Sequence, residues 1–249
     1  MYLGFHTSIS PRIIEGLKYA HTLGATSAQI FLGNTQSSSL KSKQKLTNED
    51  ILEVKNFITD NNFVLSIHSI YLLNFCSFPP ESKRIKYAQD NLIYDLETGD
   101  KLGAKCVILH IGTKKDLSRF EAYNNMANNV LYVLKQIKNT TKEIKLLLET
   151  AAGQGTQIAT TIPELSELYN LILNNAKNYN LTKLYIKARL GFCIDTAHIF
   201  SSGYGIRMPL GMNNYFKEFN KFIGLDKVGL IHLNDSKADI NSRRDIHEG

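Results

Sequence analysis

Short apolar runs recur along this chain, and most of them stop at a metal-ligating side chain. Leu65-Ser66-Ile67 ends at His68, Val107-Ile108-Leu109 at His110 and Leu146-Leu147-Leu148 at Glu149. Phe192-Cys193-Ile194 ends at Asp195, and Leu230-Ile231 at His232. His198 follows Asp195-Thr196-Ala197, and His247 follows Asp245-Ile246. Apolar runs of this length read as buried strands. A buried strand hands its next residue to the rim of its sheet. Several strands doing so with imidazoles and carboxylates make a rim suited to zinc or a similar divalent ion. The candidate ligands are too many for one four-coordinate ion, so a cluster is expected.

Between these runs the pattern changes to amphipathic helix. Strands are expected at Tyr2–His6, Ser27–Phe31, Phe63–Ile67, Lys105–Leu109, Ile144–Leu148, Leu190–Ile194 and Lys227–Ile231. A helix is expected over Pro11–Leu23, with Ser10 as N-cap, Pro11 at the first helical position and Gly24 as terminator. Thr47 should cap a helix running to Asn61, with Asp50 closing a shortened capping box. Further helices are expected over Ser82–Leu102, Leu117–Ile137, Thr161–Asn174 and Asn213–Phe222. Asn174–Arg189 reads as an extended connection without an assigned function.

Strict alternation of strand and helix implies a parallel α/β sheet covered by helices. Every candidate ligand falls just after a strand, and those ends form the active face of a (β/α)8 TIM barrel. An open sheet would scatter them along an edge. No glycine-rich GxGxxG or P-loop pattern is present. The expected architecture is therefore one barrel domain over residues 1–249, here lacking the eighth strand and final helix, because the residues after Ile231 are polar.

Composition narrows the setting. Three cysteines, Cys76, Cys106 and Cys193, cannot all pair, and Cys106 and Cys193 lie in apolar strand-like runs as buried thiols do, which favours a reducing compartment over a disulfide scaffold; none has CxxC spacing, which argues against cysteine metal ligation. No secretory leader and no 18-residue apolar run is seen, so no membrane partner is expected. The expected location is cytoplasmic, with nucleoid, nucleus or a viral compartment also open. A net charge of +6 is compatible with a polyanionic partner.

The longer motifs are more specific. Glu149-Thr150-Ala151-Ala152-Gly153-Gln154-Gly155, Cys193-Ile194-Asp195-Thr196-Ala197-His198 with Ser202-Gly203-Tyr204, His232-Leu233-Asn234-Asp235-Ser236-Lys237 and Ser242-Arg243-Arg244-Asp245-Ile246-His247 occur in that order. With His68 before Tyr71-Leu72 and His110 before Gly112, the chain resembles the endonuclease IV family of metal-dependent apurinic/apyrimidinic (AP) endonucleases. The resemblance implies a (β/α)8 barrel with three zinc ions, manganese being open at one site. It implies His68 and His110 on the first ion. Glu149 would bridge to a second ion that also takes Asp195 and His232, and would be the catalytic carboxylate. His198, Asp245 and His247 would hold the third. The family's ninth ligand, a glutamate ending strand eight, has no counterpart here. The implied partner is double-stranded DNA containing abasic sites, bound by a monomer and cut 5′ to the lesion to leave a 3′-hydroxyl. Tyr71 matches a tyrosine that inserts at the lesion. Residues 33–39, with Asn34, Gln36 and Ser37, match a DNA-penetrating loop, although Gln36 stands where relatives can carry arginine. Lys41, Lys43 and Lys45 are candidates for phosphate contacts, and Gly203-Tyr204 and Lys237 for the DNA face.

Taken singly, each residue has a plainer reading. His110 could be a structural histidine, Glu149 a buried ion-pair partner, Asp195 a helix cap, and Asp245-x-His247 a loose tail. His6 reads as a core or supporting histidine and His21 as helix surface. The rival functions are a sugar isomerase or epimerase on the same barrel, or a truncated metal- or DNA-binding protein with little catalysis. Asp245-x-His247 argues against the first, because it adds a third ion site.

Overall fold

A computed structural model describes residues 1–248. Seven strands are found: β1 (Gly4–His6), β2 (Ser27–Ile30), β3 (Val64–His68), β4 (Cys106–His110), β5 (Lys145–Glu149), β6 (Leu190–Asp195) and β7 (Val228–His232). They form one sheet in chain order, β1 to β7. The pairs β1–β2, β2–β3, β3–β4 and β6–β7 are parallel. The helices are α1 (Ile13–Thr22), α2 (Asn48–Asp60), α3 (Lys86–Leu102), α4 (Arg119–Gln136), α5 (Ile162–Asn175), α6 (Lys183–Arg189), α7 (Thr196–Ser201) and α8 (Pro209–Phe222). This βα alternation is the TIM-barrel pattern expected from the sequence. No eighth strand occurs among the described residues, and no helix is long and apolar enough to cross a membrane.

Two compact units can be distinguished. The first comprises Met1–Leu73, Tyr87–Leu109 and Gln136–Leu146; the second comprises Asn74–Lys86, His110–Lys135 and the residues from Leu147 on. In the first, Leu65, Ile67, Val107 and Leu96 are fully buried. Asp100 receives the backbone N–H groups of Lys142, Glu143 and Ile144 on one carboxylate oxygen, ordering the entry to β5. In the second, Phe192 packs edge-on against Tyr169 and Phe219, and all three are buried. Gly229 of β7 lets Leu147 approach: a Cβ there would lie 2.7 Å from Leu147 Cδ2. Asn129 has no exposed surface and donates to the carbonyls of Phe75, Phe78 and Asn125, which secures the chain after β3.

Most elements lie where hydrophobic pattern and caps place them. Thr47 and Asp50 form a complete capping box, as do Thr161 and Glu164. Some helix starts differ. Helix α1 begins at Ile13 after an extended Arg12, not at Pro11 after a Ser10 cap. The carbonyl of Ser8 sits against Gly16, where a Cβ would lie 2.1 Å away, and Ser10 and Pro11 lie in a bend, so the helix starts only after the extended Arg12. Helix α3 begins at Lys86, not Ser82, because Ser82 and Ile85 spend their amides on turns to Pro79 and Ser82. Helix α8 starts earlier than expected, at Pro209, whose missing N–H suits a first helical turn. The connection 174–189 contains a single 3-10 turn and α6. All three cysteines are buried and none forms a disulfide among the described residues, and burial pushes the Cys76 and Cys106 thiols up to about 12.

Candidate metal centre

Strands β3 to β7 end one residue later than hydrophobicity alone indicated. His68, His110, Glu149, Asp195 and His232 are therefore each the last residue of β3, β4, β5, β6 and β7. A strand's final residue is still held by the ladder, which leaves its side chain little freedom of direction.

In the second unit Glu149 is the hub. It is 1% exposed, yet each of its oxygens meets an imidazole. His110 Nε2 is 2.9 Å from Oε2, and His232 Nδ1 is 2.7 Å from Oε1. Asp195 does two jobs. Its Oδ1 caps α7 by accepting the His198 amide at 3.0 Å, and its Oδ2 accepts from Asn234 Nδ2 at 2.7 Å. The capping reading and the ligand reading of Asp195 are thus compatible. The cap also explains the Asp-x-x-His spacing, because residue three of the new helix turns back over the carboxylate.

His198 is oriented from behind. Its Nδ1 donates to the Thr150 carbonyl at 2.7 Å, which directs Nε2 to Asp245 Oδ2 at 3.1 Å. His247 repeats the arrangement: Nδ1 donates to the Asp235 carbonyl at 3.1 Å, and Nε2 lies 3.2 Å from Asp245 Oδ1. In the first unit His68 does the same, with Nδ1 donating to the Ser69 carbonyl at 2.7 Å. A backbone carbonyl on one ring nitrogen sets the tautomer and leaves the other as a lone-pair donor, the usual support of a metal-bound histidine.

The tail that carries Asp245 and His247 is anchored, not loose. Arg243 N donates to the Ser201 carbonyl, Ser201 Oγ to the Arg244 carbonyl, and Asp245 N to Gln154 Oε1. Arg243 itself has φ +56, and its side chain covers Gly153, where a Cβ would meet Arg243 Cδ at 2.6 Å. Gly153, Gln154, Thr150, Ser201 and Asn234 were not singled out from the sequence, although four of them lie inside the quoted motifs.

The donor set fits a divalent metal. Asp195, His198 and His247 each offer one ligand atom, all within 4.8 Å of one another. Asp245 Oδ1 is buried and, despite the nearby His247 ring, has no hydrogen-bond donor among the described residues. A buried carboxylate oxygen left without a donor between two imidazoles is a position for a cation. Burial opposes charge on the His198 ring, but Asp245, Asp195 and Glu149 outweigh it and raise its pKa to about 9. Asp245 is held below the usual carboxylate range by the same hydrogen bond.

Without metal, the raised His198 pKa stabilises the fold below about pH 6.5, and that increment is lost as pH rises through about 9. A metal ion on this ring requires it neutral, so uptake of a divalent metal at about neutral pH is expected to release about one proton from His198. Calorimetry in buffers of different ionisation enthalpy should show it, and His198→Asn should abolish that share. Proton-independent uptake in the wild type would refute the assignment.

The residues matched to DNA contacts lie apart from this hub in the sequence. Tyr71 is 56% exposed, with its ring 5.4 Å from Phe31 and 5.6 Å from His68. Asn34 and Gln36 are exposed and Ser37 half-buried, in a turn where Asn34 Oδ1 accepts the Gln36 amide. Lys237 is exposed, with Glu248 at 3.5 Å. Two expectations change. Lys43 is buried on Asp95 at 2.7 Å and cannot reach a phosphate, whereas Lys41 and Lys45 are exposed. His6 is an exposed histidine, not a core one; it stacks on Phe31 at 4.3 Å.

Comparison with known proteins points one way. Residues 17–249 match the family described as "Xylose isomerase-like TIM barrel". The chain is 32% identical over 246 residues to "Probable endonuclease 4" of Persephonella marina, covering 99% of this chain and 80% of that protein. It is 30% identical over 250 residues to the "Apurinic-apyrimidinic endonuclease" of Caenorhabditis elegans, covering 99% of this chain and 58% of that one. The crystal structure of endonuclease IV from Thermus thermophilus superposes with a TM-score of 0.79 at 25% identity, covering 100% of this chain and 81% of that one.

Proposed function

This chain belongs to the endonuclease IV family of the xylose isomerase-like TIM barrels, and on that premise we propose that it uses a cluster of three zinc ions to cut duplex DNA 5′ to abasic sites. The reaction is phosphodiester hydrolysis. The observation that carries the reading is the Asp245 carboxylate set between the His198 and His247 rings, on a tail anchored to Gln154 and Ser201. A sugar isomerase site needs one or two ions and a proton-transfer group. It has no use for this third group of ligands.

Divalent ions held here supply positive charge for the phosphate oxygens and the leaving alkoxide, and acidify water. The remaining work falls to the chain. Glu149 keeps His110 and His232 on separate oxygens of one carboxylate, which suits it to bridge two cations. Thr150 and Asp235 carbonyls aim the His198 and His247 rings, and Asn234 holds Asp195. In this reading His68 and His110 serve the first ion, Asp195 and His232 the second with Glu149 between them, and His198, Asp245 and His247 the third. Tyr71 stands at the lesion, the 33–39 loop with Asn34, Gln36 and Ser37 follows the duplex, and Lys237 meets a phosphate. The protein acts as a monomer in a reducing compartment.

Purified protein should carry two to three transition-metal ions per chain. It should nick a duplex bearing one tetrahydrofuran abasic analogue on its 5′ side, leaving an end that a polymerase extends. Chelation should remove metal and activity together. Equal cutting of intact duplex, vigorous cutting in excess chelator, or a single ion by elemental analysis would overturn the proposal.

A further inference from the structure

The segment between β2 and α2, residues 31–47, contains no carboxylate and displays Asn34, Gln36, Lys41 and Lys45 to solvent. It leaves the sheet level with His68, since Ile30 pairs with Ile67 in the β2–β3 register. A polar, cationic loop at that sheet end suits a polyanion. Its one buried cation is therefore conspicuous. Lys43 is 5% exposed, and its Nζ lies 2.7 Å from Asp95 Oδ1 on α3, where Asp95 has no exposed surface. Burial pushes the Asp95 carboxyl up to about 6, opposed by the neighbouring Lys43.

Helix α3 grips the loop at two further points. Asn91 Nδ2 donates to the Ser38 carbonyl at 2.7 Å, and Tyr94 Oη donates to the Gln44 carbonyl at 2.9 Å. Asn91 and Asp95 are four residues apart and share a helix face. The loop's own ends are tied by Gln44 N donating to the Leu32 carbonyl and by an antiparallel bridge between Gly33 and Lys43. Yet Asn91 Oδ1, Asp95 Oδ2 and Gln44 Oε1 are all buried without a partner among the described residues. A buried ion pair adds little net stability, and buried acceptors left unsatisfied cost some. An apolar plug would hold this loop more cheaply. What the polar joint adds is a defined geometry.

We propose that Asp95, with Tyr94 and Asn91, is a positioning element for substrate DNA, holding the 33–45 loop in the one shape that receives the duplex backbone. The inference rests on the nuclease reading above. Its test uses the metal-loaded full chain, with Asp95→Asn to break the ion pair and Tyr94→Phe to remove a single hydrogen bond without disturbing charge. Hydrogen exchange of residues 34–46 should accelerate in both variants. KM for the tetrahydrofuran duplex should rise about tenfold in Asp95→Asn and severalfold in Tyr94→Phe, with kcat and metal content unchanged, because misplaced binding groups weaken capture. If Asp95→Asn does not fold, Tyr94→Phe decides alone. Faster exchange with an unchanged KM, or a fall in kcat alone, would overturn the inference while leaving the nuclease reading intact. A wild-type protein that does not nick the abasic duplex would overturn both.

Discussion

Glu149→Gln is expected to lower incision of abasic duplex by about 10³-fold, the scale of removing one preorganised electrostatic group. The carboxylate is buried, and both of its oxygens accept, one from the His110 side and one from the His232 side. An amide of the same shape can accept on one oxygen only. Its NH2 group would face an imidazole nitrogen or a cation, so one partner is lost and a repulsive contact replaces it. The negative charge that would let two cations approach each other, on the proposed reading, is lost as well. The defect should fall on kcat, with metal content reduced, while far-ultraviolet circular dichroism is unchanged. Activity within tenfold of wild type at full metal loading would remove Glu149 from the catalytic role.

Tyr71→Ala should have the largest effect on recognition. The ring is more than half exposed and is supported underneath by the edge-on ring of Phe31 and by His68. An exposed aromatic resting on a rigid aromatic base is pre-oriented to fill a gap in a base stack. The expected loss is about 1–3 kcal/mol of discrimination between abasic and intact duplex, the usual scale of a base–aromatic contact. Tyr71→Phe should keep most of it. Because Tyr71 also lies beside His68, metal content is the necessary control and should not change. Equal affinity for the two duplexes in wild type and variant alike would return Tyr71 to a packing role, and loss of metal would make it a support of His68.

Much of this was legible because it is local. Apolar runs placed the seven strands to within a residue or two, and Thr47-x-x-Asp50 announced a helix start that the structure realises as a full capping box. Where local signals competed, the stronger tertiary contact prevailed. Pro11 offers a good first helical residue, but Ser8 seats against Gly16, Ser10 and Pro11 lie in a bend, and the helix starts only after Arg12. The helix expected from Ser82 gives way to turns that take the amides of Ser82 and Ile85, so α3 begins at Lys86. Lys43 looks like its neighbours Lys41 and Lys45 in the sequence. Only a carboxylate 52 residues away, at Asp95, distinguishes it.

The order of amino acids alone shows imidazoles and carboxylates closing successive strands, because an apolar run of strand length leaves its next residue at the sheet's end. It also determined the barrel-type alternation, which follows from hydrophobic period alone. Which ring nitrogen of His198 and of His247 is turned toward Asp245 is settled only in the folded chain. That depends on the carbonyls of Thr150 and Asp235, reached across folded space. Tertiary structure also turned the polar tail into part of a site, through Gln154 on Asp245 and Ser201 on Arg243 and Arg244. The division has a physical cause. Periodicity and capping are set by residues within one turn or strand of each other, whereas a ligand's aim and a loop's anchor are hydrogen bonds between segments that meet only after the chain has folded.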